Sequence, residues 1–254
     1  MDEVFQMIRF VAVALIVILF LILSIPILLY ERFLKKKDPE KQMHQSLAVV
    51  QFMFRLILKV SGVQVTVEGR ENIPRDKAVL YVGNHRSYFD ILVGYTTVPG
   101  LTGFVAKKEM LRYPLLKDWM TDVQCLFLDR KNLKEGLKTI LEGIDKVKNG
   151  ISIWIFPEGT RNRNPELSDL LPFREGSLKI AEKSGCAVIP VAMVGNADIF
   201  ENHVPMIRKK KVAIRYGQPI YLKDLPPQVR RKYGAYVRDV IIQMLNEMQE
   251  NQPS

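Results

Sequence analysis

An uncharged apolar segment at residues 10–30 constrains the fold of this chain more than any other feature. As a helix rising about 1.5 Å per residue, it matches a hydrocarbon core about 30 Å thick. Acidic residues precede it and no small-residue cleavage pattern follows Tyr30, which favours a retained anchor over a secretory signal peptide. Pro26 could kink the helix or mark a re-entrant turn. We therefore expect a membrane-inserted segment, whether or not it crosses the bilayer once.

Basic residues follow the apolar segment directly, within residues 31–41, whereas Arg9 is the single basic residue before it. This asymmetry predicts that the body of the protein lies on the cytoplasmic side of the membrane. Basic residues next to a membrane also favour contact with anionic lipids. We therefore predict an N-terminal membrane-anchoring region at residues 1–61, followed by an α/β domain at 62–254.

Within the anchoring region we distinguish the apolar segment, a basic linker at 31–41 and an amphipathic helix at 42–60. Apolar residues occupy most of the surface of this last helix, and Arg55 and Lys59 are its only charges after His44. Such a helix could pack on the anchor, lie in the membrane interface or belong to the core.

The net charge of +10 suits a polyanionic partner. The basic clusters at 208–211 and 230–232 lack interleaved stacking aromatics and a groove-reading motif, so we predict contact with anionic lipid and no nucleic-acid binding. The two cysteines, Cys125 and Cys186, and the three histidines lack metal-ligand spacing. We therefore predict no bound metal and no disulfide framework.

Short apolar runs alternate with helical patterns after residue 62. The runs predicted as strands are residues 63–68, 78–82, 103–106, 125–128, 151–156, 187–194 and 211–216. Between two of these runs, residues 133–147 have apolar side chains at helical spacing, and the stop signal Asn149-Gly150 follows them. This alternation predicts an α/β fold with a mixed, largely parallel sheet flanked by helices.

The sequence NHRSYFD at 84–90 follows one predicted strand and begins a helix. Ser87 and Asp90 fit a capping box, so the segment could be no more than a helix start. Alternatively, Asp90 could orient the imidazole of His85, which would then take a proton from an alcohol. The residues alone leave both interpretations open.

Cations lie at the ends of other predicted strands. Arg161 and Arg163, beside Gly159, could bind phosphate oxygens, although for this segment alone a polar turn with solvated arginines is the simpler explanation. Lys107 and Arg130 close two further runs, where Asp129 could instead hold Arg130 in an ion pair. Basic residues at several strand ends together favour an anion pocket.

Four segments occur in an order that resembles the glycerolipid acyltransferases, specifically the 1-acyl-sn-glycerol-3-phosphate acyltransferase family. They are NHRSYFD at 84–90, LFLDR at 126–130, FPEGTRNR at 156–163 and VIPVAM at 188–193. YGQPI at 216–220 also resembles the closing strand of that family. The HxxxxD spacing alone is weak, whereas the ordered set is specific.

The resemblance implies a role for each matching residue. His85 would be the general base and Asp90 its orienting partner. Pro190 matches a segment linked to the acyl donor, and Arg163 is a further candidate. A carboxylate cannot bind phosphate directly at neutral pH, so Glu158 is expected to orient Arg161 or a glycerol hydroxyl. The implied glycerophosphate site consists of Lys107, Arg130, Glu158, Gly159, Thr160 and Arg161.

The implied reaction moves an acyl chain from acyl-CoA or acyl-carrier protein to the 2-hydroxyl of lysophosphatidic acid, giving phosphatidic acid. Neither Cys125 nor Ser87 has an obvious activating partner in the sequence, so direct transfer without an acyl-enzyme is expected. No cofactor besides the thioester co-substrate is implied. The alternatives are another glycerophosphate or lysophospholipid acceptor, or a non-catalytic protein that binds anionic lipid.

Overall fold

The computed structural model describes residues 2–250 and begins with three helices. They are α1 (Asp2–Leu23), α2 (Ile25–Lys37) and α3 (Pro39–Val60). The apolar segment is thus divided at Ser24, and Pro26 lies in the first turn of α2, where its missing N–H is tolerated. Residues 31–41, predicted as a linker, are helical except for Asp38, which caps α3 by accepting a hydrogen bond from the Lys41 N–H.

Helix α1 lies on the outside of the protein and exposes its apolar side chains, with Leu23 70% exposed. It is long and apolar enough to cross a membrane, with a mean hydropathy of 2.7 over its most apolar window. Exposed apolar surface of this extent is unfavourable in water and marks an interaction site. The helix therefore supports membrane association.

Helices α2 and α3 pack against the rest of the chain. Leu28 of α2 and Leu47, Val50 and Ile57 of α3 are buried in the same hydrophobic core as Tyr81 in the sheet. Helix α3 contacts both α1 and α2. It therefore packs on the anchor and also contributes to the core, which combines two of the placements that its sequence allowed.

The body contains a seven-stranded sheet in the order β1-β7-β6-β2-β5-β3-β4. The strands are β1 (Gln64–Glu68), β2 (Leu80–Gly83), β3 (Thr102–Lys107), β4 (Leu126–Leu128), β5 (Ser152–Ile155), β6 (Val188–Val194) and β7 (Lys211–Tyr216). Neighbouring strands are parallel except for the antiparallel pair β6 and β7. The predicted α/β class with a mixed, largely parallel sheet is confirmed.

Helices cover both faces of the sheet. The helices of the body are α4 (Phe89–Thr97), α5 (Leu116–Asp122), α6 (Leu133–Lys148), α7 (Lys179–Ser184), α9 (Tyr233–Glu250) and the short α8 (Pro227–Arg230), which contacts α9. In β2, Tyr81 packs on the side of α3 to α5, whereas Leu80 and Val82 pack on the side of α6, α7 and α9. Parallel β2, β3, β4 and β5 end at one edge of the sheet, and side chains that follow them converge there.

Candidate active site

The turn after β2 places His85 at this edge. The Asn84 side chain ends the strand by bonding both backbone groups of Met193 in β6, donating to its carbonyl at 3.0 Å and accepting from its N–H at 2.8 Å. Helix α4 begins at Phe89, so Asp90 lies in its first turn. Because His85 precedes the helix, the imidazole and the carboxylate can face each other.

The Asp90 carboxylate is 2% exposed and has four hydrogen-bond partners. Its Oδ2 lies 2.9 Å from His85 Nδ1 and accepts from the N–H groups of Arg86 and Ser87 at 2.7 and 2.8 Å. Its Oδ1 accepts from Asn196 Nδ2 at 2.8 Å. Asp90 thus holds the turn that leads into α4 and also contacts the imidazole, so the helix-start contacts and the predicted pairing of His85 with Asp90 occur together. The contact assigns the proton to Nδ1 and leaves Nε2 as an acceptor.

The imidazole ring is also held from its face. It stacks on Phe156, with ring centroids 4.1 Å apart and planes inclined by 11°. The His85 side chain remains 16% exposed and lines a cavity. A histidine fixed by a carboxylate and an aromatic ring, with Nε2 available, has the arrangement required of a general base.

Glu158 has a different position from the one expected. Its Oε1 accepts from the His85 N–H at 2.9 Å and its Oε2 from the Leu171 N–H at 3.0 Å. The side chain is 4% exposed and does not line the cavity, so it reaches neither Arg161 nor a bound glycerol. Burial raises the pKa of Glu158, although the two N–H donors oppose this rise. Glu158 therefore supports the backbone beneath His85.

Replacing Glu158 by Ala should destabilise the protein. Two backbone N–H groups in partly buried hydrogen bonds would lose their acceptor, at up to about 1–3 kcal/mol for each group left unsatisfied. We expect a lower thermal unfolding midpoint in detergent micelles and a lower kcat, because His85 loses its support. Glu166→Ala in the same loop, where the side chain is exposed, is the control and should leave both quantities near their original values. An unchanged midpoint in Glu158→Ala would contradict this supporting role.

Cationic side chains from separate strand ends line the cavity together with His85. They are Lys107, Arg130, Arg161 and Arg174, with Gly159 and Thr160 beside them. The Arg130 guanidinium donates to the Gly159 carbonyl. Asp129 lies 3.0 Å from Lys108 and accepts from the Lys131 N–H, so it does not neutralise Arg130. Cations that follow separate strands thus meet at one end of the cavity.

Two other predicted residues lie elsewhere. Arg163 is exposed and is not among the residues that line the cavity. Pro190 is buried within β6, where its carbonyl accepts from the Gly217 N–H. The structure places neither of them beside His85.

The sequence did not indicate three residues of this region. Arg174 lies against Gly159, where a Cβ atom at position 159 would come within 3.0 Å of its Nε. Glu201 pairs with Arg161 at 3.1 Å, and Asn196 bonds Asp90. Asn196 lies two residues after the end of β6, so its position at a strand end was a usable signal in the sequence. Arg174 and Glu201 lie in irregular segments that carry no such signal.

The cavity continues from its cationic end into an apolar region and has a volume of about 460 Å³. Its apolar lining comes from α1, α3, α4, α5 and the strands, and includes Val17, Phe20, Met53, Phe54, Leu92, Phe104, Met120 and Val123. One end can therefore bind an anion while the other accommodates a hydrocarbon chain, with His85 bordering the same cavity.

The two nucleophile candidates considered from the sequence, Ser87 and Cys125, are not arranged as nucleophiles. The Ser87 hydroxyl is fully buried, donates to Glu201 at 2.6 Å and accepts from the Phe89 N–H. Burial raises the pKa of the Cys125 thiol, which disfavours the reactive thiolate. The geometry favours direct transfer over a covalent acyl-enzyme.

The family model described as Acyltransferase matches residues 64–194, which make up just over half of the chain. The chain is 30% identical over 189 residues to the 1-acyl-sn-glycerol-3-phosphate acyltransferase of Saccharomyces cerevisiae, covering 74% of this chain and 61% of that protein. It is 29% identical over 197 residues to the protein of the same name from Borreliella burgdorferi, covering 76% and 78%.

The fold also resembles a crystal structure of the 1-acyl-sn-glycerophosphate (LPA) acyltransferase PlsC from Thermotoga maritima. The TM-score is 0.84, with 25% sequence identity and full coverage of both chains. The match to the family model, the named relatives and this structural likeness agree with the geometry of the site. The chain belongs to the acyltransferase family.

Proposed function

We propose that this protein transfers a fatty acyl group from a thioester donor to the 2-hydroxyl of 1-acyl-glycerol 3-phosphate, forming phosphatidic acid. The observation that carries the proposal is a single cavity bordered by His85, a cluster of cations and an apolar channel. These features match the hydroxyl, phosphate and acyl chain of one acceptor molecule. The named function of the relatives agrees with this acceptor.

In the proposed reaction, His85 Nε2 takes the proton of the 2-hydroxyl as its oxygen attacks the thioester carbonyl. The new ester C–O bond forms, the C–S bond breaks, and the thiolate receives the proton from the imidazolium. The bond from Nδ1 to Asp90 keeps the ring in position and stabilises its charged form during transfer. The proton is returned to the leaving group, so the enzyme ends unchanged.

The acceptor phosphate binds the cationic end of the cavity. Arg130 and Arg161 offer planar guanidinium donors that match phosphate oxygens, and Lys107 adds a point charge. In the described part of the chain, neither Lys107 nor Arg130 forms an ion pair that the phosphate would have to displace. Binding the phosphate there brings the glycerol hydroxyls toward His85.

The acyl chains occupy the apolar part of the cavity, whose wall includes Val17 and Phe20 of the apolar helix α1. Because this helix supports membrane association, a lipid acceptor can enter from the bilayer without crossing water. The donor is acyl-CoA or acyl-carrier protein, and the reaction needs no further cofactor. Both donors present the same thioester to the acceptor.

We place the catalytic body on the cytoplasmic side of the membrane. Lys35, Lys36 and Lys37 form the last turn of α2, a few residues after the apolar segment. Arg32 and Lys35 pair with acidic residues of α5, which leaves Lys36 and Lys37 to contact anionic lipid headgroups.

The proposal is tested with the purified full chain in phosphatidylcholine vesicles containing lysophosphatidic acid. Acyl-CoA and acyl-carrier-protein donors are supplied separately, and glycerol 3-phosphate and lysophosphatidylcholine replace the acceptor in parallel reactions. We expect phosphatidic acid, detected by mass spectrometry, to be the main product. Transfer only to another acceptor would overturn the substrate assignment. Absence of transfer with every donor would favour a non-catalytic lipid-binding protein.

A further inference from the structure

Glu201 lies outside all of the sequence segments that resemble the family, yet it contacts two of them. Its Oε1 accepts from the Tyr88 N–H at 2.7 Å and lies 3.1 Å from Arg161 Nη1. Its Oε2 accepts from the Ser87 hydroxyl at 2.6 Å. One carboxylate thus joins the turn that carries His85 to the guanidinium in the anion pocket.

The guanidinium of Arg161 is held on two sides. Its Cζ lies 3.9 Å from the centroid of the Tyr88 ring, in a cation–π contact. Only its Nη1 bonds to Glu201. A guanidinium has five N–H donors, so the remaining donors stay available to a phosphate. The arrangement orients the side chain without occupying all of its binding capacity.

The loop that carries Glu201, residues 199–208, is itself fixed. It is closed by the Arg208 N–H, which donates to the Ile199 carbonyl at 2.8 Å. The Arg208 side chain also donates to Gln6 Oε1 at 3.1 Å. Phe200 stacks on Phe10, with ring centroids 5.9 Å apart and planes inclined by 7°. Helix α1 therefore holds the loop in place from outside the active site.

We propose that Glu201 is a positioning residue that orients Arg161 toward the phosphate of the acceptor. This inference rests on the proposed function. Without the carboxylate, Arg161 would keep its charge but lose the contact that restricts its rotamers, and part of the binding free energy would be spent on ordering it. The effect should appear in acceptor binding, not in donor binding.

The first test compares Glu201→Ala and Glu201→Gln in the same vesicles. The Ala variant should raise the KM for lysophosphatidic acid about tenfold, as expected for losing one charge-assisted contact. The donor KM should change less than about twofold, because the donor does not depend on this contact. The Gln variant keeps an acceptor oxygen for Tyr88 and Arg161 and should stay within about threefold of the original acceptor KM. Glu142→Ala, which removes an exposed carboxylate that pairs with Lys146 on α6, is the matched control.

The second test is a double-mutant cycle with Arg161→Ala. If Glu201 acts through Arg161, adding Glu201→Ala to that variant should raise the acceptor KM less than about twofold further. Fully additive effects would overturn the proposal, as would an equal rise in both KM values. A Gln variant as impaired as the Ala variant would also contradict it.

Direct binding separates this inference from the reaction itself. Labelled lysophosphatidic acid, with monoacylglycerol as the probe that lacks phosphate, is bound to the full chain in micelles. If Glu201→Ala binds lysophosphatidic acid more weakly but binds monoacylglycerol as before, the positioning role is upheld, even if no transfer occurs. Equal weakening for both probes would reject it, whatever the outcome for catalysis.

Discussion

Replacing His85 by Ala is expected to lower kcat by about 10² to 10⁴, the usual contribution of a general base. The variant should still fold, because Asp90 keeps its bonds from Arg86, Ser87 and Asn196 when the imidazole is removed. The acceptor KM should change little, since phosphate binding depends on other residues. Initial rates with saturating acyl donor and varied lysophosphatidic acid provide the measurement.

The control for this experiment is His44→Ala, which removes an exposed imidazole from α3 outside the cavity. It should retain the original kcat. Turnover by His85→Ala at the original rate would exclude the general-base role, even if the protein proved to be an acyltransferase. A matching thermal unfolding midpoint for the two variants would show that the loss is chemical and does not reflect unfolding.

The architecture could be predicted because its signals are local. Residues 151–156 and 187–194 are apolar on both faces, and the corresponding strands β5 and β6 lie fully buried in the centre of the sheet. The stop signal Asn149-Gly150 follows α6, which ends at Lys148, and Gly150 adopts a left-handed φ of 84°. Buried strands and helix ends of this kind are determined by residues that are adjacent in sequence, so they can be predicted from it.

The polar network around the imidazole could be predicted only in part. The pairing of His85 with Asp90 spans five positions and follows from a strand-to-helix corner. Asn196 and Glu201 reach the same turn across more than 100 residues, because β6 lies beside β2 in the sheet. These contacts therefore depend on the order of strands in the sheet, which no local sequence pattern encodes.

Glu158 shows why a residue type alone does not determine a role. Its position in sequence next to Gly159 and Arg161 suggested that the Glu158 carboxylate orients the arginine. Instead, each of its two oxygens accepts a hydrogen bond from a backbone N–H group. Buried N–H groups must find acceptors, and that requirement outweighs the proximity of a cation in sequence. Arg161 instead pairs with Glu201, so the contact expected of Glu158 is made by a residue distant in sequence.

Arg161→Ala should raise the KM for lysophosphatidic acid by about 10- to 100-fold, since a hydrogen bond to a charged group contributes about 1.5–3 kcal/mol. The donor KM should stay nearly constant, because under the proposed function the cationic end of the cavity binds the acceptor phosphate. Arg161→Lys should recover part of the loss, as it restores the charge without the planar donors. Acceptor and donor are varied separately at saturation of the other substrate.

Arg163→Ala is the matched control, because it removes the same side chain two residues away, where it is exposed and outside the cavity. Its acceptor KM should remain within about twofold of the original value, as for a surface substitution. A larger rise in the donor KM than in the acceptor KM for Arg161→Ala would place the anion pocket on the donor side. Equal rises in acceptor KM for Arg161→Ala and Arg163→Ala would instead indicate that phosphate responds to diffuse surface charge. A defined pocket should depend on Arg161 and not on Arg163, although the two are close in sequence.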